Sequence, residues 1–204
     1  MAITTTLEQA AAAAPAAEDP VPAPDAGEHA LIARARAGES AAFRELVERH
    51  QGRALALARR LLRDEAEAEE CAQDAFLRAW SALPGFRAES SFGTWLHRIV
   101  HRRALDRLDS LRTRRRHESA APSWPEEGAR PAATGAASDE RVRRLVDALP
   151  HTQRAAVTLF YFEDRSVREA ARVLGMHENT VKTHLHRARA SLRAAWAREE
   201  EKSR

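Results

Sequence analysis

Cysteine is almost absent from this chain of 204 residues: Cys71 stands alone. A single thiol excludes a disulfide framework and any CxxC metal or redox pair. Its place in a helical pattern suits a small buried apolar residue. No run of about 18 apolar residues occurs, so a membrane-spanning helix is not expected. The N-terminus lacks the basic start and long apolar core of a secretory signal, and a cytoplasmic, reducing location is expected. No carboxylate pair stands among the partner groups that acid–base catalysis needs, and there is no HExxH pattern; an enzyme is not expected. His97 and His101 lie four apart on one helical face, but nothing supplies the remaining ligands of a metal site. The same holds for His177, His184 and His186, so neither metal nor cofactor is expected. Lysine is scarce, and arginine carries almost all of the positive charge. That balance suits phosphate recognition, and the abundance of alanine points equally to a GC-rich coding sequence.

What is present is charge in blocks. The formal net charge is only +3, but residues 1–28 hold five acids and no Lys or Arg, and residues 64–74 hold six acids and no base. Residues 98–116 carry eight arginines against two acids, and residues 177–193 four bases against one acid. Such separation implies something basic as a partner for the acidic block and a polyanion for the basic ones.

The most organised stretch is Ser166 to Arg193. Ser166 followed by Glu169 has the form of a capping box. Val167, Ala170, Ala171 and Leu174 recur at helical spacing, and Gly175 supplies the left-handed residue that ends the helix. A second run places Val181, Leu185, Ala188 and Leu192 on one face and Asn179, Thr180, Lys182, Thr183, His186, Arg187 and Arg193 on the other. Two helices about a glycine turn, the second polar and cationic, describe a helix-turn-helix with a recognition helix for a major groove. The same pattern also fits a solvated helix on a bundle. The small Ala170 at the crossing and the single acid, Glu178, on the second helix favour DNA.

Elsewhere the pattern is helical and unbroken by strands. Residues 1–27 are Ala-, Pro- and acid-rich with no periodic apolar face, and read as a disordered tail. From Glu28 to Arg63 two amphipathic runs flank a break at Gly38, with Ser40 as a helix cap. Residues 64–80 are an acidic start and then a helix whose inward face is Ala68, Cys71, Ala72, Ala75 and Leu77 to Ala79, with Glu67, Glu70, Gln73, Asp74 and Arg78 on an exposed one. Leu83-Pro84-Gly85 breaks it. Phe86–Phe92 is a short loop with an aromatic at each end. In the next helix Leu96, Val100, Ala104, Leu108 and Leu111 share a face, while Trp95, Arg98, Arg102, Asp106 and Asp109 cluster opposite. An exposed aromatic beside arginines suits a nucleic-acid strand, whose bases stack while guanidinium groups hold phosphate; a buried Trp95 fits as well. Residues 113–138 lack periodicity and read as a linker, with Trp124 inside it. Two more helices span 139–162, divided at Pro150, and residues 197–204 form a charged tail. The fold expected is all-α: two small helical domains, 28–112 and 139–196, joined by a flexible linker, the second a helix-turn-helix.

In order along the chain, ECAQDAFLRAW, SSFGTWLHRIVHRRALDRL and ALPHTQRAAVTLFYFEDRSVREAARVLGMHENTVKTHLHRARASLR closely resemble the extracytoplasmic-function group of bacterial RNA polymerase sigma factors, over about residues 28–112 and 139–195. The resemblance implies that these domains are sigma regions two and four. It implies a protein that binds core RNA polymerase and directs promoter recognition, melting and transcription initiation, for a stress or envelope regulon. By that likeness Glu67, Glu70, Asp74, Phe76, Arg78 and Trp80 fall in the stretch that docks on polymerase. The loop with Phe86, Ser90, Ser91 and Phe92 captures a flipped base, and Trp95, Arg98, His101, Arg102 and Asp106 belong to the helix that opens the melting element. His177, Glu178, Asn179, Thr180, Lys182, Thr183, His184, His186 and Arg187 belong to the helix that reads the farther upstream element. The family usually has Arg-Asn at His101-Arg102, a Ser-like cap at His177 and Ser-Arg at Thr183-His184. An anti-sigma partner is a family expectation to which no residue here points. Two weak DNA sites held by polymerase gain by effective concentration, so the free chain is expected to bind promoters poorly. From the residues alone, a stand-alone regulator with 28–112 as a sensor or dimerisation domain fits the same pattern.

Overall fold

The computed structural model describes residues 26–118 and 137–202. Among them every regular element is helical: α1 (Ala26–Arg36), α2 (Ser40–Leu62), α3 (Glu65–Ala82), α4 (Phe92–Glu118), α5 (Ala137–Asp147), α6 (His151–Val157), α7 (Val167–Leu174) and α8 (Glu178–Lys202). A 3-10 turn covers Leu83–Gly85, and a π-helical turn at Thr158–Phe162 continues α6. The fold is all-α, in two helical halves, as the periodicity indicates.

The turns follow from local chemistry. Arg63 takes the left-handed conformation (φ 65°) and its amide closes onto the Arg59 carbonyl, while Asp64 caps α3 by accepting the Glu67 amide at 2.9 Å. Two residues therefore reverse the chain between α2 and α3. Before α4 the Ser91 hydroxyl accepts the Thr94 amide at 3.2 Å. In α7 the capping box of Ser166 and Glu169 is fully formed, and Gly175 ends the helix at φ 66°, a conformation that costs a residue with a Cβ about 1 kcal/mol or more.

The first half is a four-helix unit. Leu31, Leu46, Leu57, Leu61, Leu96 and Val100 fill it, and Ala54, Ala58, Ala68, Ala75 and Ala79 let the backbones approach. Each leucine so enclosed contributes about 1.5–3 kcal/mol relative to exposure. Cys71 is fully buried here; burial pushes its thiol up to about 11, and it donates weakly to the Val100 carbonyl at 3.8 Å. In the second half Leu145, Leu149, Leu159, Val173, Val181 and Leu185 make the core.

Four features depart from the sequence reading. Ser40 is the first helical residue rather than a cap; Glu39 stands at the cap position, and its carboxylate accepts from Arg34 Nε at 2.8 Å. Residues 113–118, read as linker, continue α4, and residues 137–138 already belong to α5. The charged tail is helical as far as Lys202. The N-terminal tail as far as residue 25, the rest of the linker and Trp124 lie outside the described residues.

The two halves also lie against each other: their buried apolar residues form one continuous cluster, and polar contacts cross the boundary. Thr94 on α4 donates to Glu169 on α7 at 3.1 Å, Arg154 on α6 donates to the Leu61 carbonyl at 3.0 Å, and Arg60 on α2 donates to Glu163 at 2.9 Å. The rings of His101 and His151 stack at 5.9 Å. Burial pushes His101 down to about 4, with repulsion from His151 adding to it, and pushes His97 down to about 3, with Arg165, His50 and Arg53 adding. Both are neutral in the folded chain, whereas in the unfolded chain each titrates near 6.5. Between those values the unfolded state binds more protons, so stability falls as pH drops. Thermal unfolding midpoints should therefore decline between about pH 6.5 and about pH 4, and decline less steeply in a His97→Gln/His101→Gln variant. Equal slopes would contradict this assignment.

Candidate nucleic-acid interface and docking groove

The recognition helix is built from its caps outward. The Gly175 turn delivers the chain to His177, whose carbonyl accepts the Thr180 amide at 2.9 Å and whose ring Nδ1 faces the Asn179 amide at 3.5 Å. Histidine thus stands in the cap position of α8. Val181, Leu185 and Ala188 are buried against α7, where Ala170 is fully enclosed. This leaves His177, Asn179, Thr180, Lys182, Thr183, His186 and Arg187 exposed as one surface. Glu178 and His184 are half-buried at its margin, and the His184 Nδ1 is turned inward. The surface is cationic and polar, about two turns long, and suits a major groove.

The melting-element candidates divide by burial. Phe86 and Phe92 are 5% and 1% exposed. Their rings pack edge-on at 6.2 Å, and both lie on Trp95, at 4.9 and 5.6 Å. This corrects the reading of the two phenylalanines as base contacts: they anchor the loop at both ends. Trp95 is half-buried between them, combining core and surface roles. The residues they hold outward are Arg87, Ala88 and Glu89, all exposed, with Ser90 and Ser91 half-buried; Ala88 adopts the left-handed conformation at φ 55°. Beyond the loop Arg98 and Arg102 are exposed on α4. His101 is only 7% exposed, covered by His151, and is no free DNA contact in this arrangement. Among the described residues no His, Cys, Asp or Glu group is arranged to hold a metal ion, and no helix is long and apolar enough to cross a membrane.

The acidic block proves two-faced. Glu67 and Glu70 both pair with Arg107 of α4, and Asp74 accepts from Arg103 at 3.1 Å. These three carboxylates, expected to meet an outside partner, are bound within the chain. Residues two apart on a helix point about 200° apart, so Glu69, Gln73, Phe76, Leu77 and Trp80 face the other way. With Phe43, Val47 and Leu55 of α2 they line an apolar groove of about 740 Å³. Phe43 and Trp80 stack at 4.8 Å along it, and Leu77 is 68% exposed. Arg78 is exposed beside it. Leu77, read as part of the inward face, instead lines the exposed groove, because it lies two residues from both Ala75 and Ala79 of the buried row and so on the opposite side of the helix. Phe43 and Glu69 were not singled out, although an apolar i, i+4 pattern marks that side of α3.

A helical half with an exposed apolar groove, an aromatic-anchored loop and an arginine helix is followed by a helix-turn-helix, the arrangement that the resemblance to sigma factors implies. Comparisons with known proteins agree: the model of Sigma-70 region 2 matches residues 46–116, and that of Sigma-70, region 4 matches residues 139–192. The chain is 38% identical over 165 residues to the ECF RNA polymerase sigma factor SigM of Mycobacterium tuberculosis, covering 79% of this chain and 81% of that one. It is 33% identical over 174 residues to the RNA polymerase sigma-H factor of Pseudomonas aeruginosa, with 79% and 90% covered. A solved structure of CnrH in complex with the cytosolic domain of CnrY superposes with a TM-score of 0.62 at 32% identity, over 84% of this chain and 97% of CnrH. The chain belongs to the extracytoplasmic-function group of bacterial RNA polymerase sigma factors.

The burial difference has a measurable consequence. Phe92→Ala should destabilise the chain by about 3–5 kcal/mol in urea unfolding, whereas Arg98→Ala should stay within about 0.5 kcal/mol of the parent. A Phe92→Ala chain of unchanged stability would return that ring to the surface.

Proposed function

We propose that this chain, in the cytoplasm, binds core RNA polymerase through the α2–α3 groove, and that residues 28–112 and 139–196 then engage two separate promoter elements. The exposed groove carries the reading: an apolar surface on a helix pair otherwise sealed by alanines suits a helical partner laid along it. Phe76, Leu77 and Trp80 supply the apolar anchors, and Glu69 and Arg78 the charged rim. Glu67, Glu70 and Asp74 support the groove from behind by fixing α3 to α4. CnrH is solved in complex with the cytosolic domain of CnrY, and a regulatory protein bound in the same way is the second class of partner for these surfaces.

At the promoter the work divides. Bases inside a duplex do not offer their Watson–Crick edges, so the melting element must be opened and a base flipped, at a cost of a few kcal/mol. The Phe86–Phe92 loop offers a pre-shaped receptacle with Arg87, Glu89, Ser90 and Ser91 at its mouth. Arg98 and Arg102 hold the strand by its phosphates, a contribution that weakens steeply with salt. On α8, Lys182 and Arg187 hold the upstream duplex, and Asn179, Thr180, Thr183 and His186 reach base edges, each good contact contributing about 1–3 kcal/mol of discrimination.

Run-off transcription with purified chain, bacterial core polymerase and a genomic promoter library tests the whole. Transcripts are expected only when both proteins are present, and a footprint independent of polymerase would instead support a stand-alone regulator. Leu77→Asp should weaken association with core polymerase at least tenfold, as loss of a central apolar anchor does, without altering the stability of the chain. Unchanged association would remove the groove from the docking surface.

A further inference from the structure

The exposed face of α8 carries two threonines three residues apart, and they differ in what they can offer to a base. We infer that Thr183 reads a thymine through its methyl group: Cγ2 meets the 5-methyl of a thymine in the upstream duplex, while the hydroxyl stays bonded to the helix itself. This inference rests on the promoter reading above and assigns the kind of base that one position of that surface selects.

Three observations carry it. First, the Thr183 hydroxyl donates to the Asn179 carbonyl at 2.9 Å, so its one proton is committed a turn back along the backbone. With the oxygen turned onto that carbonyl, the methyl is the γ group left to face outward, and Thr183 is exposed.

Second, Thr180 lacks this bond for a local reason. It is the third residue of α8, and the carbonyl four residues earlier belongs to Met176, ahead of the helix. Among the described residues the Thr180 hydroxyl has no hydrogen-bond partner. Thr180 is exposed as well, and keeps both a donor and an acceptor for a base edge.

Third, Thr183 stands at the centre of the face. Asn179 and Arg187 lie about 40° to either side of it on the helix, and Thr180 and His186 about 60°. Lys182 lies about 100° round, at the edge where phosphates pass. A central side chain reaches the floor of a major groove, where thymine presents its 5-methyl as an apolar contact. Cytosine in the same place has no methyl and turns an amino donor to the groove. The face therefore reads by hydrogen bonds at Asn179 and Thr180 and by apolar contact at Thr183.

The test uses the full chain with core polymerase present, and a duplex that it selects from random-sequence DNA. Each thymine of that duplex is replaced in turn by deoxyuridine, which removes the 5-methyl and nothing else. At one position the parent should bind uracil about fourfold more weakly than thymine, as the loss of one buried methyl-sized group does. Thr183→Ser keeps the hydroxyl and loses the methyl, and should bind thymine and uracil equally there. Thr183→Val keeps the methyl and loses the hydroxyl, and should retain the difference. Thr180→Ser, which removes the neighbouring methyl, should retain it too. All three positions of change are on the surface, and circular dichroism equal to the parent's checks that each variant folds. No thymine–uracil difference anywhere in the parent overturns the inference. So does a difference that survives Thr183→Ser, vanishes in Thr183→Val or is abolished by Thr180→Ser. Absence of run-off transcription by the parent, with the thymine–uracil pattern intact, would fail the promoter reading and leave the methyl contact standing.

Discussion

One carboxylate ties the molecule together. Glu169 closes the first turn of α7 through Ser166, and so fixes the helix on which the recognition helix rests. The same side chain accepts from Thr94 at the first turn of α4, 75 residues away. Burial opposes its charge, and the Ser166 amide, Arg165 and the hydroxyls of Ser166 and Thr94 outweigh that and hold the carboxyl below its ordinary range. Helix capping in one half and contact between the halves are thus coupled at a single group.

Two patterns of charge have different fates. The acids of α3 that look outward in one dimension turn inward onto Arg103 and Arg107, and this leaves the opposite, apolar side of the helix for a partner. The arginines of α4 divide in the same way: Arg103 and Arg107 hold α3, and Arg98 and Arg102 remain exposed. Surface ion pairs of this kind contribute at most about 1 kcal/mol each, so the bridges orient α3 more than they stabilise it. Orientation is what the groove requires, since Phe76, Leu77 and Trp80 line up with Phe43 and Val47 only at one rotation of the helix.

What could be read in the chain and what could not follows from the range of the forces. The capping box, Gly175, the inner face of Val181, Leu185 and Ala188, and the buried row of Leu96, Val100 and Ala104 were legible because each depends on neighbours within a turn or two. The ends of α4 and α5 were misplaced because arginine is a good helix former and the first proline after α4 is Pro122. Phe86 and Phe92 looked like base contacts because spacing does not say which side of a loop meets the core. The polar contacts across the boundary were invisible: Thr94 with Glu169 and Arg154 with the Leu61 carbonyl join positions 75 and 93 residues apart, and no local period marks them.

The central claim is that the apolar groove of α2 and α3 is the surface that docks on core polymerase. Hydrogen exchange of the amides of α2 around Phe43 and of α3 from Phe76 to Trp80, compared between free and polymerase-bound chain, reads it directly. Slower exchange along both stretches in the complex is the result the account requires. Equal exchange there in both states would contradict it.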